Sequence, residues 1–280
     1  MKAAVVRGYG SASEIEIADL PQPVAAPGKL LVRVRAASLN PLDVKLRSGA
    51  LRRVMPLTFP AVLGFDFAGE VEQGSGAWSR GDRVYGRTDA KTGGTHAEFA
   101  VVDASVVDRI PGGLSFEQAA SLPLVSCTAI QALRKARLAQ GEALLVIGAG
   151  GVGSVAVHVG SAMGARVSGG EGPFDVILDT ARNGPSDDTL RRLARGGRYV
   201  TTGFSAGLLL RSLFGRLWSA RRFGFVISKA DGELMRETSR LVAAGQLAPV
   251  IEATYPLERI GEAHARLERG HMRGKIVVTV

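Results

Sequence analysis

Residues 143–164, ALLVIGAGGVGSVAVHVGSAMG, constrain the fold of this chain more than any other stretch. An apolar run leads directly into Gly148, Gly150 and Gly153, which have G-x-G-x-x-G spacing, and an amphipathic segment follows. In that setting Gly148 permits a tight turn, Gly150 lets the backbone approach a pyrophosphate, and Gly153 lets a helix pack against the preceding strand. The helix start offers unpaired N–H groups and a positive dipole end to phosphate. A parallel sheet with helical crossovers is therefore expected. FDVILD at 174–179 and GRYVTTG at 197–203 are further apolar strands, and DDTLRRLARGG at 187–197 reads as the helix between them.

The next segment conflicts with a complete sheet of this kind. ARVSG at 165–169 is followed almost at once by FDVILD, with only Gly169 to Pro173 as connector. Parallel neighbours need a crossover of roughly a dozen residues or more. A strand of five residues rises about 17 Å, and five extended residues reach at most about 18 Å. Either ARVSG is a stub or it takes a non-standard route, and in both cases the sheet is short on one side.

The first hundred residues differ. KAAVVR, EIEIADL, KLLVRVRAASL, DFAGEVEQ, DRVYGR, HAEFAVVD and SVVDRI are short, β-branched and broken by Pro or Gly, which suggests a small barrel or sandwich. Helical sequence follows from 114, with Ser115 as a cap and Pro123 separating two helices. ELMRETSRLVAAGQ is a further helix ending at Gly245, and the tail holds one more helix and a final strand that can return to the N-terminal barrel. The expected fold class is α/β, a β-rich domain at 1–115 and 251–280 with a truncated, doubly wound parallel sheet at 116–250.

With a net charge of +9 the chain favours anionic partners such as phosphorylated cofactors, coenzyme A thioesters or an acidic carrier protein. Eight arginines fall between Arg191 and Arg222. They read as a solvated surface, and no zinc finger, basic zipper or aromatic RNA-binding signature accompanies them, so nucleic acid is not expected. No apolar run approaches the ~20 residues of a membrane span, and the N-terminus lacks the core of a signal peptide. A cytoplasmic protein is expected. The single cysteine, Cys127, excludes an intrachain disulfide and a multi-thiolate zinc site, and it reads as a buried small residue. No metal site is expected. In GLLLRSLFGRLWSARRF at 207–223, one helical face carries Leu210, Leu213, Phe214, Leu217 and Trp218. A lid or dimer element is preferred there over a membrane-surface helix.

Several motifs together resemble the medium-chain dehydrogenase/reductase superfamily, in its zinc-free quinone oxidoreductase branch. They are SLNPLDVKLRSG at 38–49, PAVLGFDFAGEVEQGSG at 60–76, GDRVYG at 81–86, GGTHAEFAVV at 93–102, AASLPLVSCTAIQAL at 119–133, the glycine loop, and GEAHARLERGHMRGKIVVTV at 261–280. The resemblance implies a GroES-like N-terminal domain rejoined by the tail, a Rossmann-like domain, and a cleft for nicotinamide and an apolar substrate. It also implies homodimers through an edge strand, for which FGFVISK at 223–229 is the candidate. Metal-free hydride transfer from NADPH to a quinone, an enone or an enoyl thioester is the implied chemistry.

On this resemblance the cofactor residues are Gly148, Gly150, Gly151, Val152 and Gly153 at the pyrophosphate, Thr128 near the nicotinamide, and Ser168 on the adenosine side. Ser168 lies twenty positions past Gly148, where an acid or base usually reads the ribose. With the helix–strand unit after it missing, NADPH binding is expected to be weakened or lost. Asn40, Asp43, Lys45 and His96 are the candidate catalytic residues. For Asn40 and Asp43 loop capping competes equally with a functional role, while Lys45 and Arg47 read as residues of a solvated face. Relatives often carry a tyrosine where Lys45 or Leu51 stands here. Two other readings compete with the redox one: non-redox chemistry such as cyclisation or elimination, with Asp43, Lys45 or His96 as acid or base, and ligand binding without catalysis.

Overall fold

The computed structural model describes residues 1–89, 93–181, 184–203 and 221–280. Its strands are β1 (Lys2–Val6), β2 (Ile15–Asp19), β3 (Lys29–Ser38), β4 (Ala61–Val62), β5 (Asp66–Gln73), β6 (Arg83–Arg87), β7 (Phe99–Asp103), β8 (Val107–Arg109), β9 (Ala143–Ile147), β10 (Arg166–Val167), β11 (Phe174–Asp179), β12 (Leu193–Thr201), β13 (Arg222–Phe225), β14 (Ile251–Pro256) and β15 (Lys275–Thr279). Its helices are α1 (Pro41–Arg47), α2 (Phe116–Ala120), α3 (Pro123–Lys135), α4 (Gly151–Ala162), α5 (Asp187–Arg192), α6 (Gly232–Ala243) and α7 (Ile260–Glu268). The amphipathic stretch carrying Leu210 to Trp218 lies outside the described residues.

The chain divides into two compact units. The first comprises Met1–Leu124, Ala230–Ala243 and Pro249–Val280; the second comprises Val125–Lys229 and Ala244–Ala248. The sequence reading places its boundaries near 115 and 250. Residues 116–124 and helix α6 cluster with the β-rich unit, and α6 is tied there by side-chain bonds. Tyr85 Oη lies 2.9 Å from Ser239 Oγ, and that hydroxyl donates to Asp108 Oδ2 at 2.6 Å.

In the first unit one sheet runs β14-β15-β3-β5-β6-β8, with β7 on β3, and a smaller sheet runs β2-β1-β4. The alternation of β3, KLLVRVRAAS, puts Leu30, Val32 and Val34 into a core with Phe67, Val71, Val84, Ala100 and Val102. Burying each such side chain contributes about 1.5–3 kcal/mol. The C-terminal strand β15 pairs antiparallel with β3, Val277 opposite Ser38, so the end of the chain rejoins this sheet.

The described residues of the second unit form a five-stranded parallel sheet in the order β10-β9-β11-β12-β13. This is the truncated doubly wound sheet expected from the sequence. β10 has only two residues, and that resolves the short connector: a strand this short needs almost no return path. Val167 pairs with Leu144 on one flank of β9, and Val176 pairs with Leu144 on the other, so residues 168–173 have to cross a single strand. β10 and β13 are the edge strands among the described residues. One element differs from its sequence reading. The helix expected over 187–197 ends at Arg192, and Leu193 begins β12 by pairing with Phe174, so backbone pairing overrides the helical propensity of LAR.

Candidate active site

The glycine loop connects β9 to α4. Gly148 has φ +106°, a conformation strained for any residue with a Cβ. A Cβ on Gly153 would lie 1.9 Å from the Gly148 carbonyl oxygen, so the helix seats on the loop only because Gly153 has no side chain. Gly150 is extended and caps α4 without any side-chain bond. The first helical bond runs from Ser154 N–H to Gly150 O at 2.9 Å, which leaves the N–H groups of Gly151, Val152 and Gly153 without partners inside the helix. These donors and the helix dipole fit a pyrophosphate, so this end of the site suits a nicotinamide dinucleotide. Thr128 is 5 % exposed on α3 in the same unit, and Cys127 beside it is fully buried.

The adenosine side does not fit as well. Ser168 is exposed, and its N–H donates to Leu144 O at 3.1 Å. Arg166, the nearest base, spends its Nε on Gly141 O at 3.0 Å, below the start of β9 and away from the glycine loop. Among the described residues nothing replaces the missing helix–strand unit.

The candidate catalytic residues all lie in the first unit. Asn40 is the N-cap of α1 and Asp43 its third residue, and together they form a capping box. Asp43 Oδ2 accepts the Asn40 N–H at 2.8 Å and Oδ1 accepts the Gly64 N–H at 2.9 Å. Burial pushes this carboxyl up to about 7, against the lowering effect of those two bonds. Lys45 is exposed on the same helix. His96, expected in the cleft, is 1 % exposed; its ring is bonded to the Ser38 backbone, and burial holds its pKa down at about 3.

Around these residues the fold assembles a buried polar network that the sequence reading passed over. Asp66 Oδ2 accepts from Ser38 Oγ at 3.0 Å, Asn40 Nδ2 at 3.0 Å and Lys275 Nζ at 3.2 Å, while Oδ1 accepts the Leu124 N–H at 3.0 Å. Lys275 also donates to Leu39 O at 2.8 Å and Asn40 Oδ1 at 2.5 Å, and burial lowers its pKa. Arg47, read as solvated, is fully buried, donating to Gly10 O at 2.7 Å and paired with Glu268. His264 packs edge-on to His96, ring centroids 6.0 Å apart, and burial holds its pKa down at about 2. The one sequence signal for this network was a charged residue opening each of two apolar strands, Asp66 in DFAGEV and Lys275 in KIVVTV.

A cavity of about 650 Å³ in the first unit is lined by Thr88, Asp89, Gly93, Gly94, Phe99 and Val101 among others, and by none of Asn40, Asp43, Lys45 or His96. In the second unit a cavity of about 250 Å³ is rimmed by Lys135, Arg137, Arg198, Arg221 and Arg222. Among the described residues no group of three or more His, Cys, Asp or Glu is placed to hold a metal ion, and no helix is long and apolar enough to cross a membrane.

Residues 26–112 match the alcohol dehydrogenase GroES-like domain and residues 155–278 match the zinc-binding dehydrogenase domain. The bovine mitochondrial NAD(P)H oxidoreductase RTN4IP1 is 30 % identical over 354 residues, covering 100 % of this chain and 89 % of that protein. The chain belongs to the medium-chain dehydrogenase/reductase superfamily. Within the superfamily it falls in the quinone oxidoreductase-like branch. The solved quinone oxidoreductase of Coxiella burnetii matches with a TM-score of 0.89 at 27 % identity, over 100 % of this chain and 99 % of that one. The chloroplastic NADPH-dependent alkenal/one oxidoreductase of Arabidopsis thaliana is 28 % identical, over 99 % of this chain and 79 % of that protein. Superfamily relatives that align over more positions than the 280 residues here carry segments this chain lacks, in keeping with its five-stranded sheet.

Proposed function

We propose that this protein is an oxidoreductase that reduces apolar quinones or α,β-unsaturated carbonyl compounds with a reduced nicotinamide dinucleotide, NADPH included. The observation that carries the reading is the glycine loop, with Gly148 at φ +106° and three helix-start N–H groups left for a pyrophosphate. The names of the relatives, oxidoreductases of quinones and alkenals, support the same class of acceptor.

Bound nicotinamide supplies a hydride. The chain's own part is to hold and orient. Gly151, Val152 and Gly153 take the pyrophosphate, and Thr128 is assigned to the nicotinamide end by family position. Asn40 and Asp43 act as positioning residues, fixing the start of α1 and the Gly64 turn through backbone bonds. Leu51 offers no proton, so the proton that completes reduction comes from water. Rate enhancement then rests on orientation more than on a strong acid. An enoyl thioester is the same class of polarised alkene, and the net charge of +9 suits its phosphate-bearing carrier. β13, an edge strand among the described residues, is the proposed contact in a homodimer.

Mixing the protein with NADPH and either a 1,4-naphthoquinone or a 2-alkenal, and following absorbance of the reduced cofactor, tests the reading. Acceptor-dependent oxidation is expected. The reading fails if no acceptor is reduced and millimolar cofactor does not bind.

A further inference from the structure

We infer that this protein does not read the adenosine end of its cofactor: NADPH, NADH and an analogue with an altered base bind with closely similar affinity. The inference rests on the proposed binding of a nicotinamide dinucleotide at the glycine loop and names its specificity.

The register of the parallel sheet carries the argument. β9 ends at Ile147, immediately before the glycine loop, and on one flank β11 keeps pace, with Asp179 opposite Ile147. On the other flank β10 stops with Val167 opposite Leu144. It is three residues short of the edge where the pyrophosphate sits, about 10 Å at ~3.3 Å per residue. In a complete site that strand reaches the edge and presents the group that binds the ribose hydroxyls or a 2′-phosphate. Here the chain turns back below that level.

The residues that replace the strand tip are poor readers. Ser168 through Glu171 are all exposed. Among the described residues a Cβ added to Gly169 would meet nothing within 4 Å, and one on Gly170 would meet only the Ser168 hydroxyl at 3.8 Å, so no described residue walls this turn. Among the described residues the arginines near this turn, Arg166 and Arg192, donate to backbone carbonyls. Arg166 donates to Gly141 O, behind the start of β9. Arg192 donates to the carbonyls of Gly169 and Gly170, and its guanidinium lies 5.5 Å from the Phe174 ring centroid. Its charge pins the connector down. The shortening thus removes a pocket wall and leaves the phosphate cradle, so a cofactor is gripped by its pyrophosphate and nicotinamide halves.

The test is equilibrium binding to the full chain of NADPH, NADH and reduced nicotinamide hypoxanthine dinucleotide, read by quenching of intrinsic fluorescence. All three share the dihydronicotinamide and the pyrophosphate. Salt at about 0.5 M screens the general attraction of a chain of charge +9 for the extra phosphate. Dissociation constants within about fivefold of one another support the inference. A larger spread in either direction overturns it and leaves the proposed function standing. Absence of binding by all three at millimolar concentration overturns the proposed function and the inference together.

Discussion

Lys275 Nζ lies 3.2 Å from Asp66 Oδ2, with side-chain exposures of 6 % and 0 %, joining two residues 209 positions apart. The ammonium also touches Asn40, and the carboxylate holds the N–H of Leu124. A buried pair of this kind contributes little over an apolar substitute, but losing one partner strands the other. Lys275→Met is therefore expected to cost about 3–5 kcal/mol in urea unfolding, and Lys275→Met with Asp66→Asn clearly less than the sum of the single variants. Equal, additive losses would show that the pair is not coupled.

The acid sensitivity of folding follows from His96 and His264. Both have folded pKa values below the ordinary 6.5, at about 3 and about 2, because burial excludes the charged form. The unfolded chain binds these protons first. Their contribution is present above pH 6.5 and is lost as pH falls toward 3, with a slope of about 1.4 kcal/mol per pH unit for each group. Asp43 has the opposite sign, since its pKa is raised to about 7: its contribution is present below pH 3.8 and lost as pH rises through 7. Melting temperature should thus peak between about pH 6 and 7. His264→Leu should flatten the acid limb, which thermal melts across pH 4–8 would show.

Gly153→Ala places a Cβ against the Gly148 carbonyl at 1.9 Å, so the loop and α4 must separate. The expected cost is about 1–3 kcal/mol of stability. Cofactor affinity should fall by about tenfold or more, as the helix-start donors move off the pyrophosphate. Wild-type affinity in this variant would show that the cradle lies elsewhere.

Arg198 ties β12 to the end of α3. Its Nε donates to Ala136 O at 2.8 Å and Nη2 to Arg137 O at 2.9 Å, and the guanidinium grips both carboxylate oxygens of Glu142 at 2.9 and 2.5 Å. Arg198→Met leaves two helix-end carbonyls and a half-buried carboxylate without this donor, and should destabilise by about 2–3 kcal/mol in denaturant unfolding. A change below about 0.5 kcal/mol would mark the contact as a surface pair of no consequence.

What the sequence by itself determined is what neighbours in the chain decide. The capping box of Ser115 with Gln118, the break at Pro123 and the turn at Gly148 are set by residues within a few positions of each other, and each is found where the sequence places it. The shortness of the sheet was equally legible, because reach is a property of chain length. Tertiary structure alone decided that ARVSG would shrink to the two residues of β10, that Leu193 would join a strand opposite Phe174, and that Arg47 would be buried beside Glu268. It alone gathered Asp66, Lys275, His96 and His264 into one interior. Their partners come from distant strands and helices, and whether a charged side chain faces water or another charge depends on packing that no local pattern encodes.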